Sequence, residues 1–220
     1  MSQPSRRFLT LAAVFLAGAV SASLVSSVTA RQADEPEIGM PDGIPMDPEA
    51  MARWVRIMTP GEQHAELAAT AGQWDITSRY WMAPDGEPQT SQMRSTITSE
   101  LGGRFILERV TGEVMGMPFE GLGLMGYDIQ KGKWISIWTD NMNTAVTISE
   151  GEAIDDDTIE LFGEMYDPME DKSAPFKIVL KEAGPDEQTM TMHAKVGGEW
   201  VRNMELQYTR SRRGAQPRQR

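Results

Sequence analysis

Three charged residues fall in phase with apolar residues in segments of alternating polarity. Arg109 and Arg202 each stand two residues from an apolar neighbour, and Glu150 does the same in a third segment. Alternate residues of a β-strand share one face, so this spacing predicts that all three charges face inward. An inward charge must be paired. It forms either a buried arginine–glutamate bridge or a two-bond contact between an arginine and the anionic group of an apolar ligand.

The uncharged positions on the same face predict an apolar wall. In the last three segments the alternate residues are Phe176, Ile178, Leu180, Met190, Met192, Met204, Leu206 and Tyr208. Unbranched methionine side chains repack around ligands of different shape. The residues that we predict to bind a ligand are therefore Arg109, Arg202, Met190, Met192, Met204 and Tyr208.

Catalysis in the same cup is the alternative hypothesis. Glu150 or Tyr80 would then act as a general base in hydrolysis or isomerisation. The sequence contains no Gly-x-Ser-x-Gly nucleophile elbow and no cysteine for thiolate chemistry. We assign no catalytic residue, and the pattern favours a binding protein over an enzyme.

The histidines do not indicate a metal site. Met190, Met192 and His193 have the composition of a soft copper site, but on a strand His193 faces away from both methionines. His64 is expected on a helix surface or at a barrel mouth. The acidic runs at 155–157 and 167–171 lie in predicted turns and lack the spacing of a calcium loop. We therefore predict no metal ligand.

A glycine-rich run resembles a nucleotide motif in letters only. Residues 121–126 read GLGLMG, but the dinucleotide fingerprint requires a helix directly after it, because the helix N-terminus binds the pyrophosphate. Here Tyr127 and Asp128 lead into a turn and another strand-like segment. We interpret the glycines as positions where a strand coils or another part of the chain approaches closely.

Ten alternating segments separated by turns indicate a β-barrel. The predicted strands are 73–81, 90–100, 104–115, 119–127, 133–140, 145–154, 158–166, 174–183, 188–196 and 200–210. Closing a series of antiparallel strands on itself removes both open edges. We predict a mainly β fold, an antiparallel up-and-down (calycin- or lipocalin-like) barrel of about ten strands.

One or two helices are expected before the barrel. One covers residues 48–58, and a second begins at Thr59, where a capping-box threonine is followed by Pro60 and Glu62. The fifth strand is apolar on both faces, which predicts that the helices cover it from outside or close one barrel mouth.

The N-terminus has the features of a secretory signal. Residues 1–30 contain Arg6, Arg7, an apolar run and small residues before a cleavage site after Ala30 or Ala22. The alternative is an uncleaved membrane anchor. We predict a signal peptide at 1–30, a flexible linker at 31–48, the barrel domain with its helices at 49–210 and a disordered basic tail at 211–220. The protein is expected to be periplasmic or secreted, with no membrane span after cleavage.

Charge limits the possible partners. The chain has a formal net charge of −11, with basic residues concentrated at its two ends. The central domain should therefore repel nucleic acids and anionic membranes. The absence of cysteine excludes disulfides. The expected partner is a small apolar molecule, and the oligomeric state stays open.

Several blocks resemble the bacterial family called domain of unknown function 1579. They are PGEQH at 60–64, GQW at 72–74, LGGRF at 101–105, MPFEGLG at 117–123, GYD at 126–128 and DPM at 167–169. The resemblance covers 61–210 and implies a lipocalin- or nitrobindin-like barrel with no established activity. GQW together with a late arginine is also similar to the lipocalin signature. That signature implies that Trp74 plugs one barrel end and that Arg210 packs over it.

The leading hypothesis is an exported, noncatalytic barrel that binds a small hydrophobic or amphipathic ligand, with an anionic ligand included. An enzyme and an envelope interaction module with a filled core are the alternatives. Haem ligation by His64 or His193, by analogy with nitrobindin, is disfavoured because His193 lies on the polar face. No cofactor is assigned.

Overall fold

The computed structural model describes residues 47–168 and 170–212. The predicted signal peptide, residues 31–46 of the predicted linker and residues 213–220 of the basic tail lie outside the described residues. A compact unit begins at Arg53. It contains the barrel and is described below.

Two helices precede ten strands. They are α1 (Pro48–Met58) and α2 (Glu62–Ala69). The strands are β1 (Gly72–Tyr80), β2 (Gln89–Glu100), β3 (Phe105–Val114), β4 (Met117–Asp128), β5 (Lys133–Asp140), β6 (Thr147–Ala153), β7 (Thr158–Asp167), β8 (Lys172–Gly184), β9 (Glu187–Val196) and β10 (Glu199–Arg210). Neither of these helices has the length and apolarity needed to cross a membrane.

The strands form a closed barrel. Each strand pairs antiparallel with its neighbours in sequence, and β1 pairs with β10. The predicted up-and-down barrel is confirmed. The register follows from tight turns such as Gly197 (φ 60°) and Gly198 (φ 93°), because successive positive φ angles give a two-residue hairpin the twist of its strands.

A β-bulge reverses the faces of β10. Arg202 pairs with His193 and Met204 pairs with Met192, so Asn203 is an extra residue between the two pairs. One inserted residue moves every side chain before it to the opposite face of the sheet. Met204 therefore faces the barrel interior, and Arg202 faces outward.

The start of α2 differs from the predicted capping box. Gly61, and not Thr59, is the residue that caps the helix. The Gly61 backbone N–H donates to His64 Nδ1 at 3.0 Å, so the histidine satisfies one backbone donor that the first helical turn leaves free. Thr59 instead ends the preceding helix, since its hydroxyl donates to the Val55 carbonyl at 2.7 Å.

One end of the barrel is filled by Trp74. The Trp74 side chain is 2% exposed, and its Nε1–H donates to the Thr70 carbonyl at 3.0 Å. The Arg210 guanidinium lies 4.3 Å from the centroid of the indole ring. It also donates to the carbonyls of Ala71 and Pro185, at 2.9 Å and 3.0 Å. Arg210 thus connects the last strand to the loop before β1 and to the turn between β8 and β9.

Replacing Trp74 with alanine should lower the free energy of unfolding by about 3 to 5 kcal/mol, because it leaves a cavity at the closed end. Urea denaturation measures the loss. Trp54→Ala is the control, since Trp54 is exposed and its loss should change stability by less than about 0.5 kcal/mol. Equal effects of the two substitutions would contradict a plug at this end.

Candidate ligand-binding site

The inner surface of β8, β9 and β10 is an apolar wall. Its inward residues are Phe176, Ile178, Leu180, Met190, Met192, Met204, Leu206 and Tyr208. Ile178 and Met190 stand near the middle of their strands and face inward, yet both remain partly accessible. Phe176, Leu206 and Tyr208 of the same wall are buried.

The inner surface of β1, β2 and β3 is packed more tightly. Ile76 is 0% exposed, and Met93, Ile97 and Val110 are also buried. All four belong to one contiguous core cluster with Trp74. The same cluster includes Leu161, Leu206 and Tyr208, and the partly accessible Ile178, Leu180, Met190 and Met204 pack against it.

A polar cluster lies within the tightly packed side. Glu108 of β3 faces inward, and the Ser95 hydroxyl donates to its Oε1 at 2.7 Å. The Tyr208 hydroxyl forms a hydrogen bond with the same carboxyl group. Ser95 and Tyr208 are both buried. No described lysine or arginine forms an ion pair with Glu108.

Burial controls the protonation of this cluster. It raises the pKa of the Glu108 carboxyl, while the hydrogen bonds from Ser95 and Tyr208 act in the opposite direction. Burial, and then the charge of Glu108 and its hydrogen bond, raise the pKa of the Tyr208 phenol well above its ordinary value. Tyr208 therefore stays neutral at any physiological pH and acts as a donor.

Arg109 faces solvent, so its predicted inward position is wrong. The neighbouring residues Glu108 and Val110 face inward, and Arg109 is exposed. The error has a physical cause. β3 begins with large apolar residues on both faces, Phe105 outside and Ile106 inside, and alternation alone does not distinguish them.

Arg202 also faces solvent, because the bulge at Asn203 reverses the phase of the strand. Its guanidinium lies 4.5 Å from the centroid of the Trp81 ring and forms a 2.7 Å ion pair with Glu205. Neither Arg109 nor Arg202 can therefore make the predicted contact with an anionic ligand inside the barrel.

Glu150 is on the outer surface as well. Its carboxylate pairs with Lys131 at 3.0 Å and Lys133 at 3.2 Å, while Ser149 and Gly151 face inward and are buried. The two lysines lower the pKa of Glu150, with the Lys131 hydrogen bond as the largest contribution. Glu150 can serve neither as a base inside the cup nor as the partner of a buried arginine.

The GLGLMG run creates space for aromatic rings. A Cβ atom at Gly121 would lie 2.4 Å from Trp138 Cζ2, and one at Gly123 would lie 3.1 Å from Cε3 of the same ring. Trp138 therefore lies flat across the inner face of β4. Gly126 faces outward, where a Cβ would lie 2.5 Å from Phe105 Cδ1. The close-approach interpretation of these glycines is correct.

His193 and the inner methionines lie on opposite faces of the sheet. His193 faces outward and pairs with Lys177 and Arg202, whereas Met190 and Met192 face inward. Burial, followed by Lys177 and Arg202, lowers the pKa of His193. The described residues contain no group of three or more histidine, aspartate or glutamate side chains placed to hold a metal ion.

Residues 59–210 match the family described as "Protein of unknown function (DUF1579)". The chain belongs to this family. No curated protein matches the sequence. Among solved structures, the chain is similar to one titled "Crystal Structure of Rv2717c from M. tuberculosis", with 14% identity and a TM-score of 0.48. The match covers 70% of this chain and 100% of that chain.

The sequence blocks of this DUF1579 barrel have structural roles. Leu101, Gly102 and Gly103 all have positive φ angles and form the turn before β3. Arg104 follows, and its guanidinium donates to the carbonyls of Leu101 and Met58. The block at 117–123 holds the glycines under Trp138.

Sequence reasoning missed Glu108, the one acid among the described residues that faces inward near the middle of the DUF1579 barrel. The signal was present in weak form. Glu108 lies between Ile106 and Val110 at two-residue spacing, just as Arg109 follows Phe105. Choosing between the two phases required the pairing of β3 with Ser95 of β2.

Glu108→Gln should make the protein more stable at neutral pH. The folded-state pKa of Glu108 lies above the ordinary value of 4.5, so the folded barrel holds this proton more tightly than the unfolded chain. The resulting stability is complete below pH 4.5 and is lost as pH rises through the folded-state pKa. Thermal unfolding at a series of pH values should show that the stability gain of Glu108→Gln over the wild type becomes smaller as the pH falls toward the folded-state pKa of Glu108.

Glu150→Gln is the matched control with the opposite sign. Its pKa is lowered in the folded state, so its stabilising effect is present above the ordinary value and is lost as pH falls. This variant should lose a little stability at neutral pH. A Glu108→Gln protein that is less stable than wild type at pH 7 would contradict the assigned environment of Glu108.

Proposed function

We propose that this barrel binds a small, apolar, uncharged or cationic molecule in its interior and performs no chemistry on it. The observation that carries the proposal is the accessible apolar wall beside β8 and β9, where Ile178 and Met190 face inward but are incompletely buried. Concave apolar sites with a few polar groups are the usual form of small-molecule sites.

The inner methionines support a ligand of variable shape. Met190, Met192 and Met204 lie on two adjacent strands and face the same space. Methionine has three rotatable bonds and a polarisable sulfur, so such a surface adapts to different partners at little strain. This property favours a carrier or sensor over a site that must hold reacting atoms in one geometry.

The interior charge determines the kind of ligand. Glu108 faces inward without a basic partner among the described residues, and Arg109 and Arg202 are outside. Among the described residues, Arg210 is the cation on this side of the barrel, and it is held at the closed end over Trp74, so an anionic head group beside the methionines would lack a compensating charge. A fatty-acid-like ligand is therefore disfavoured, and a ligand that carries a hydroxyl, carbonyl or amine fits better.

The features of residues 1–30 support action outside the cytoplasm. A domain without cysteine needs no oxidative folding there and depends on its core for stability. The enzyme hypothesis loses its first candidate base, because Glu150 lies on the outer surface with two lysines. A binding role requires no such base.

The neutral dye N-phenyl-1-naphthylamine tests the proposal. The protein should raise its fluorescence in a saturable manner, and Met190→Phe should weaken binding about tenfold by filling the accessible space. Thr191→Phe is the matched control, since Thr191 is the next residue on the same strand and faces outward. Absence of saturable binding, or equal loss in both variants, would reject the interior site.

Charge preference is tested with a second dye. The anionic 8-anilinonaphthalene-1-sulfonate should bind the interior more weakly than the neutral dye, because Glu108 is the inward charge near the centre. Competition between the two dyes measures the difference. A clear preference for the anionic dye that disappears in Met190→Phe would restore the anionic-ligand hypothesis.

A further inference from the structure

A cleft of about 250 Å³ lies on the outside of the barrel, against β3, β4 and β5. Its apolar lining includes Ile57, Met58, Phe105, Leu124, Ile135 and Ile137. The first two belong to the end of α1, and the other four face outward from their strands. A cluster of apolar outward side chains in a concave surface marks a place where something binds.

Gly126 gives the cleft its depth. It pairs with Phe105, and the absence of a side chain lets the Phe105 ring lie against the backbone of β4. A Cβ atom at this position would be 2.5 Å from Phe105 Cδ1 and 2.6 Å from Cε1. A methyl group there would push the ring outward into the cleft.

Arg104 fixes the walls relative to each other. Its Nη1 donates to the Leu101 carbonyl at 3.0 Å, and its Nη2 donates to the Met58 carbonyl. The side chain thus connects the turn before β3 to the end of α1. Walls that are fixed before a ligand arrives reduce the entropy lost on binding.

His64 supplies a hydrogen-bond donor to the cleft. It lines the cavity, is 5% exposed, and accepts the Gly61 N–H on Nδ1 at 3.0 Å. An accepting Nδ1 carries no proton, so the proton of the neutral ring is on Nε2. The Tyr127 ring holds the imidazole in an edge-to-face contact with centroids 6.0 Å apart. No described residue accepts a hydrogen bond from Nε2.

The acid beside the cleft is already occupied. Asp128 Oδ1 accepts the backbone N–H groups of Gln130 and Lys131, at 2.8 Å and 3.1 Å. Thr59 and Gln130 also line the cleft, and Arg104 donates to the Leu101 and Met58 carbonyls, so His64 Nε2 is the donor that we assign to a ligand. A complementary ligand carries an acceptor.

We propose that this cleft is a second small-molecule site, separate from the barrel interior, for an aromatic compound that carries one carbonyl oxygen. The apolar lining holds the ring between Phe105 and the isoleucines of β5. The carbonyl oxygen accepts the proton of His64 Nε2. The site is independent of any ligand in the interior, because its lining residues on β5 face outward.

Acetophenone and ethylbenzene test the proposal on the full-length protein, since the two compounds differ by the carbonyl oxygen. Two-dimensional ¹H–¹⁵N NMR should show both compounds shifting the amide signals of Gly61, His64 and Gly126. Acetophenone should bind about three- to tenfold more tightly, the amount expected for one added hydrogen bond. The His64 Nε2 signal should move with acetophenone and stay in place with ethylbenzene.

Ile137→Trp fills the cleft and should abolish binding of both compounds. Ile148→Trp is its control, because Ile148 pairs with Ile137, is 58% exposed and does not line the cavity. Gly126→Ala is a second, smaller change that should weaken binding by pushing Phe105 into the cleft. Met190→Phe, which alters the interior, should leave cleft binding unchanged.

Unshifted amide signals at Gly61, His64 and Gly126 would overturn the proposal. Equal losses in Ile137→Trp and Ile148→Trp, or loss in Met190→Phe, would place the compounds elsewhere and would also overturn it. Equal affinity for acetophenone and ethylbenzene would remove the carbonyl specificity and the role of His64.

Discussion

Pairing of β1 with β10 removes the two open edges of a ten-stranded sheet, and Arg210 secures this junction at its end. Its guanidinium covers the Trp74 ring and donates to the carbonyls of two separate loops. Trp74 and Arg210 are also directly paired residues of the two strands. This contact therefore fills one end of the barrel and lies at the end of the paired positions that join the first and last strands.

Register determines what the interior contains. Aromatic rings lie flat against glycines on the inner surface, as Trp138 does over Gly121 and Phe176 does beside Gly163. These pairs place bulky rings close to the wall. The functional proposal rests instead on the partly accessible inward side chains of β8 and β9, Ile178 and Met190 among them.

The order and number of strands could be read from the sequence because each turn has residues suited to it. The packing of Arg210 over Trp74 was implied by the similarity of GQW and a late arginine to the lipocalin signature. It was harder to predict which residues of each strand face the barrel interior. Asn203 interrupts the alternation of β10 without changing its composition. β3 begins with large apolar residues on both of its faces, Phe105 outside and Ile106 inside. Arg202, Arg109 and Glu108 were misassigned or missed for these two reasons.

The central claim is that apolar molecules bind inside the barrel beside the methionine wall. The most direct measurement is a ¹³C-methyl NMR spectrum of the methionines during titration with N-phenyl-1-naphthylamine. We predict shifts at Met190, Met192 and Met204, with the exposed Met82 and Met142 unchanged. Shifts confined to Met82 and Met142, or no shift at the three inner methionines under saturating dye, would contradict the account.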